Sequence, residues 1–230
     1  MENRREFWRK LWDEQSCSDD MFVQIGRNSF TLLDFSILMK DVSKALSLGK
    51  DDLVLDAGGG AGWMSMFLSP FVKEVLIFDY AEGMVEKAEQ MTAHFNNIRV
   101  VHDDILFMAN VTERFTKVIV ASILQYLEGY GQVEKALLNI YNAMHPDGKA
   151  LFSSNPDLNR KDAYIKSYDR LDWSKEKKDA ALEMEDKRIW LDIKTVKDIA
   201  AQVGFRDFEE VPINDRFSQA VHMFDFMVTK

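Results

Sequence analysis

Apolar residues recur along the chain with two different periods, and the switch between them divides it. In residues 4–14 (RREFWRKLWDE), Phe7, Trp8, Leu11 and Trp12 fall on one face of a helix with charges opposite. A second helical pattern covers residues 31–46, and Gly49 stops it. From Leu53 the pattern changes to short apolar runs: 53–57 (LVLDA), 75–79 (VLIFD), 98–102 (IRVVH), 117–121 (KVIVA) and 149–153. These predict strands. Helical patterns at 61–68, 81–94 and 132–144 separate them, and a turn at 145–148 (HPDG) leads into the fifth run.

Strands alternating with helices at this spacing predict a Rossmann-like, doubly wound α/β sheet that is mostly parallel. The end of the chain departs from that rhythm. After a helix at 195–203 closed by Gly204, two strands at 205–211 and 221–229 follow with no helix between them. They must be antiparallel neighbours, which makes seven strands ending in an antiparallel hairpin. Residues 156–192 read as an insertion whose charges nearly balance, yet it carries Tyr164, Ile165, Tyr168, Leu171, Trp173 and Trp190. A solvated loop has no use for those aromatics, so the segment is expected to form a helical cap over the strand ends, where open α/β sheets bind ligands. The expected organisation is an N-terminal helical lid (1–50), a ligand-binding core (51–155), the cap (156–192) and a segment completing the sheet (193–230).

Composition narrows the function more than the fold. A chain of 230 residues buries a substantial core, and a formal charge of −9 argues against a broad grip on nucleic acid or an anionic membrane. The single cysteine, Cys17, leaves no intramolecular disulfide and no cysteine zinc site, which fits a reducing compartment. No run has signal-peptide or membrane-spanning length, so a soluble, cytoplasmic protein with no membrane partner is expected. No acidic cluster suggests a metal.

The chemistry concentrates at 53-LVLDAGGGAGWMSMFL-68. Glycine is costly to order, so a strand-to-helix turn with four of them implies close approach of a ligand to bare backbone, beside the free N–H groups of a helix start. A dinucleotide site requires G-x-G-x-x-G, and counting from Gly58 puts Trp63 in the third glycine's place. The spelling D-x-G-x-G-x-G is matched at every fixed position by Asp56, Gly58, Gly60 and Gly62.

With these residues the chain resembles the class I (Rossmann-like) S-adenosylmethionine-dependent methyltransferases, small-molecule type, over residues 50–155 by motif and in the final hairpin by topology. The resemblance implies S-adenosylmethionine as cofactor and S-adenosylhomocysteine as product. It implies that the turn from Asp56 and Ala57 through Gly62 holds the methionine part, and that Asp79, ending the second strand, binds the ribose hydroxyls, with Tyr80 and Met84 beside ribose or adenine. It implies an acid at the adenine amino group, where VVHDDIL offers Asp103 or Asp104 followed by Ile105. It implies that Ala121, Ser122 and Gln125 flank the methyl donor. Arg27, in FVQIGRNSF, is a candidate partner for the cofactor's carboxylate or for an acidic substrate.

No histidine stands out as a base. Tyr126, Asp157, Tyr164 and Asp169 are the catalytic candidates, by location alone. The D/N/S-P-P-aromatic motif of nucleic-acid amino methyltransferases is missing after the fourth strand, which reads ASIL, so a small-molecule acceptor and no nucleic-acid partner are expected. Three readings remain open: an O- or N-methyltransferase acting on a sugar, an antibiotic-like metabolite or a nucleotide-linked intermediate; an NAD(P)-type oxidoreductase; and a non-catalytic S-adenosylmethionine-binding protein. The acceptor and the oligomeric state are not legible.

Overall fold

The alternation from Leu53 onward becomes one seven-stranded sheet in the computed structural model, which describes residues 4–230. Ahead of it lie α1 (Arg4–Ser16), α2 (Met21–Gln24) and α3 (Leu32–Leu46). The βα units follow: β1 (Leu53–Ala57), α4 (Trp63–Leu68), β2 (Glu74–Asp79), α5 (Glu82–Thr92), β3 (Ile98–His102), β4 (Phe115–Ala121), α6 (Tyr130–Ala143) and β5 (Met144–Pro156). The chain then makes α7 (Lys161–Ser167), α8 (Lys175–Lys187), α9 (Ile193–Val203), β6 (Asp207–Val211) and β7 (Met223–Thr229).

The strands lie in the order β3-β2-β1-β4-β5-β7-β6. The first five are parallel, while β7 runs antiparallel between β5 and β6. Because side chains alternate across a strand, neighbouring residues serve opposite cores. Leu55, Phe78, Val120 and Phe152 face α6 and α9, whereas Val54, Ile77, Ile119 and Leu151 face α3 and α4. This is why the strands are near-continuously apolar.

Three expectations change. The first concerns α3. Its Thr31–Asp34 capping box fixes its start, and Phe35, Met39, Val42 and Leu46 are buried against the sheet. It is part of the core, so the lid narrows to the helices before it. The second concerns the HPDG turn, which lies inside β5 as a bulge: β4 pairs Phe115 with Met144 and then Lys117 with Lys149, and Asp147 takes a left-handed φ of 60°. The third concerns the last two strands, which are joined by residues 212–222, including a 3-10 turn at Ser218–Val221, so β7 starts at Met223.

The insertion is an excursion closed at its base. Leu191 N–H donates to Pro156 O at 2.8 Å and Leu158 N–H to Leu191 O at 2.9 Å. Its aromatics pack largely on one another: Tyr164 lies 5.2 Å from Tyr168 and 5.8 Å from Trp190, and stacks on His222 at 3.8 Å. The roof expected of this segment is supplied by α1 instead, which the insertion braces. Trp8 Nε1 donates to Lys187 O at 3.1 Å, and the Lys187 ammonium sits 4.3 Å from the Phe7 ring.

Candidate active site

The glycine turn begins where β1 ends. Gly58 and Gly59 N–H both donate to Phe78 O, at 2.8 and 3.1 Å, so the β1–β2 ladder continues into the turn. Gly58 has a φ of 71°, and a Cβ there would fall 2.2 Å from Ile123 Cδ1. Gly60, at φ 55°, would bring a Cβ no nearer than 3.8 Å to anything, since its open side faces a cavity. Gly62 does different work from the expected ligand contact: it precedes α4, and a Cβ there would press on Ile77 and Thr92. Ala57 is wholly buried in the core and contributes only backbone.

Asp79 locks the turn. Its Oδ2 accepts from Gly60 N–H and its Oδ1 from Ala81 N–H, both at 2.9 Å. Burial pushes its carboxyl above the usual range, against those N–H groups. Beneath the turn, Asp56 is buried and accepts from the Ser65 hydroxyl at 2.6 Å. Burial raises it to about 6; the Ser65 bond opposes this and the Asp79 charge adds to it.

The cavity in front of the turn is lined by Asp79, Tyr80, Met84, Asp104, Ile105, Ala121, Ser122, Tyr126 and Arg27 among the expected residues. The doubled aspartate is resolved by geometry. Asp103 turns away and clasps its own loop, accepting from the N–H groups of Asp104, Ala109 and Asn110. Asp104 faces the cavity, and Arg5 Nη2 donates to both its oxygens at 2.8 and 2.9 Å. The Arg5 guanidinium also lies 4.6 Å from the centre of the Tyr80 ring. Gln125 is buried behind the wall, its Nε2 donating to Ser122 O at 3.2 Å.

Of the four catalytic candidates only Tyr126 reaches the cavity, with Trp8 tilted against it at 4.6 Å and Trp12 edge-on at 6.0 Å. Burial raises its phenol pKa. Asp157 pairs with Arg160 at 3.0 Å and caps the turn after β5, Tyr164 belongs to the insertion's aromatic cluster, and Asp169 is solvent-exposed. These three do not line the cavity, because the insertion packs beside it.

Sequence reasoning missed Arg5 and Gln24. Gln24 is almost fully buried; its Oε1 accepts from Trp63 Nε1 at 2.6 Å and its Nε2 donates to Ser18 O at 2.5 Å. The indole in the third-glycine place thus ties the lid to the turn. No linear signal marks Arg5, whose partner is 99 residues away. Arg27 donates to Ser154 Oγ at 2.5 Å, and burial lowers its pKa. Among the described residues no group of three or more His, Cys, Asp or Glu is placed to hold a metal, and no helix is long and apolar enough to cross a membrane.

The sheet order, the terminal antiparallel pair and the glycine turn define the Rossmann-like fold of class I methyltransferases. The family model for Nodulation protein S (NodS) matches residues 34–168, well over half of the chain, and the chain belongs to that family. It is 25% identical to Nodulation protein S of Sinorhizobium fredii strain NGR234 over 115 residues, which are 50% of this chain and 53% of that one. The chain thus spans about half the length of the curated relatives it matches. Among solved structures, N-methyltransferase NodS from Bradyrhizobium japonicum WM9, in complex with S-adenosyl-L-homocysteine, is similar with a TM-score of 0.67 at 19% identity, covering 96% of this chain and 97% of that one. Phosphoethanolamine N-methyltransferase 1 of Haemonchus contortus, in complex with phosphoethanolamine and S-adenosylhomocysteine, is similar with a TM-score of 0.71 at 18% identity, covering 98% of this chain and 48% of that one.

Proposed function

We propose that this protein is an S-adenosylmethionine-dependent methyltransferase that acts on an oxygen or nitrogen of a small molecule. The observation that carries the reading is the Asp79 carboxylate, held by Gly60 and Ala81 N–H at the mouth of a bare glycine turn. Each of its oxygens keeps a lone pair for a ribose hydroxyl. The similar folds crystallised with S-adenosylhomocysteine support it.

The residues present fit the cofactor. The open side of Gly60 leaves room for the methionine part beside Ala121 and Ser122; Asp79 would take the ribose hydroxyls, and Met84, Asp104 and Ile105, which line the same cavity, would hold the adenine. Arg27, with no carboxylate in ion-pair range among the described residues, supplies spare N–H donors for the amino-acid carboxylate. When bound, the sulfonium cofactor supplies an electrophilic methyl group. The protein's share is alignment and exclusion of water: Trp8, Trp12 and Tyr126 wall the cavity with aromatic surface, and Arg5 fastens α1 to Asp104 across its edge. Tyr126, its phenol kept neutral by burial, is placed to orient an acceptor rather than to take its proton. A cavity walled by a helix, on a chain of net charge −9, suits a small molecule rather than nucleic acid. An unpaired cysteine suits a cytoplasmic setting. The comparisons lend no support to the dinucleotide reading.

Calorimetry with S-adenosylmethionine tests this. Asp79→Ala is expected to weaken binding 10-fold or more, since it removes a charge-assisted acceptor for two hydroxyls. Unchanged affinity would refute the assignment. Transfer of labelled methyl into a metabolite extract then separates an enzyme from a protein that only binds.

A further inference from the structure

Tyr80 and Asp104 stand at the end of the cavity assigned to the adenine, and a side chain of the protein bridges them. The Arg5 guanidinium lies 4.6 Å from the centre of the Tyr80 ring, and its Nη2 donates to both Asp104 oxygens at 2.8 and 2.9 Å. Leu106 N–H takes a further position on Oδ1 at 2.9 Å. With these partners in place the Asp104 side chain is 12% exposed and that of Arg5 15%. Both residues line the cavity, so the guanidinium covers the carboxylate from the side a ligand approaches.

Arg5 is delivered there by the docking of α1. Arg5, Arg9 and Asp13 recur every fourth residue and share one side of that helix. Asp13 Oδ1 accepts from Gly83 N–H at 2.9 Å, in the first turn of α5, whose N-cap Ala81 has no side chain to do so. A Cβ on Gly83 would fall 2.6 Å from Ser16 Oγ, so the two helices meet closely at that point. Trp8 ties α1 to the insertion through Lys187 O. None of these ties involves Arg5. Its side chain is therefore able to leave Asp104 while the helix stays docked.

We propose that Arg5 is an internal competitor for the adenine subsite, an autoinhibitory contact whose guanidinium must swing out before the cofactor is seated. This deepens the methyltransferase reading and rests on it. The chemical likeness is close. A guanidinium is a flat, delocalised group that stacks on an aromatic face and donates N–H bonds to a carboxylate. Adenine is a flat ring that stacks on the same kind of face and presents an amino group to the same kind of acid. Both call on the Tyr80 face and the Asp104 oxygens, so one is seated at a time. The guanidinium brings a charge to Asp104 and the amino group does not, so the exchange costs the cofactor part of its affinity, in proportion to how seldom the subsite stands open. S-adenosylmethionine and S-adenosylhomocysteine share the adenosine and bear that cost alike. The return of Arg5 to Asp104 then helps to expel the product, a step that limits turnover in many enzymes.

The test is calorimetry of S-adenosylhomocysteine and of adenosine with the full chain at pH 7.5. Arg5→Ala is expected to tighten both about 5-fold, the full worth of a partly exposed ion pair. Arg5→Met, which keeps the reach along Tyr80 but has no N–H to donate, should tighten them by about 2-fold or more. In an Asp104→Asn background the gain from Arg5→Ala should shrink below about 2-fold, because the charge that held the guanidinium is gone. Unchanged or weaker binding by both Arg5 variants would overturn the proposal and make Arg5 a clasp over the bound cofactor. A gain of the same size in the Asp104→Asn background would overturn it too, since it would come from a loosened α1. If neither the wild-type chain nor Arg5→Ala binds S-adenosylhomocysteine, the methyltransferase reading itself falls and the competitor with it, a distinct result.

Discussion

Asp79 and Asp104 stand near the ends of neighbouring strands and face the same cavity, but they are held in opposite ways. Asp79 takes its partners, Gly60 and Ala81, from the adjacent backbone of the two βα units that form its turn. Asp104 takes its ion-pair partner, Arg5, from a helix 99 residues away. The first arrangement is fixed as soon as β1 and β2 pair. The second depends on α1 being docked, and α1 rests on side chains such as Trp8 and Arg5 more than on the sheet. The comparison separates a preformed half of the site from a half that is assembled.

The sharpest way to break the preformed half is at Gly58. A Cβ there collides with Ile123 in a backbone conformation that side chains avoid, so Gly58→Val is expected to lower stability by about 3 kcal/mol in a urea titration. Gly60→Val makes the contrast: its side is open, so the loss of stability should be only about 1–2 kcal/mol while S-adenosylmethionine binding disappears. Retained binding would mean the turn does not touch the ligand.

Two milder changes follow, the first at Asp225, on β7 beside Ser154 of β5, and the second in the assembled half. Asp225 has a folded pKa of about 6 against an ordinary 3.8, so between those values the folded state holds more protons and stability grows as the pH falls. Above pH 6 the buried charge is a full cost. Asp225→Asn is therefore expected to stabilise the chain by about 1–2 kcal/mol at pH 7.5, a gain that shrinks through pH 6 and vanishes near pH 4. Melting curves across that range check it. The smallest effect belongs to Arg5→Ala. An ion pair at this partly exposed edge is worth about 1 kcal/mol or less, so the melt should barely move while amide exchange in α1 quickens.

What the sequence made legible follows the same division. The septet from Asp56 to Gly62 and the acid at Asp79 could be read because strand, turn and helix start are contiguous and each residue's task is set by its neighbours. The seven strands were legible for the same reason, since a buried βαβ unit writes its period into the text. Tyr164 and Asp169 misled because aromatics and charges in an insertion record that something is packed, not what. Tyr164 packs with Tyr168, Trp190 and His222, and Asp169 is exposed; neither lines the cavity. The choice between Asp103 and Asp104 needed the loop at Ala109 and Asn110, whose N–H groups claim the first aspartate. Gly62 carries the spacing of a ligand contact but serves the packing of α4 on Ile77.

The excursion between Pro156 and Leu191 leaves the core and returns at adjoining points, stitched by two backbone hydrogen bonds. Nothing in the spacing of the strands dictates how long it must be, and the entropy of closing such a loop rises only with the logarithm of its length. This part of the molecule is therefore an exchangeable module: its helices can be swapped, trimmed or enlarged while the sheet beneath stays as it is. It is held to the rest by Lys187 against Trp8 and Phe7, by Tyr164 stacked on His222 and by the Ile189 N–H bond to Gln125 O, so a change of module would reach the cavity through the first helix and through the wall at Gln125.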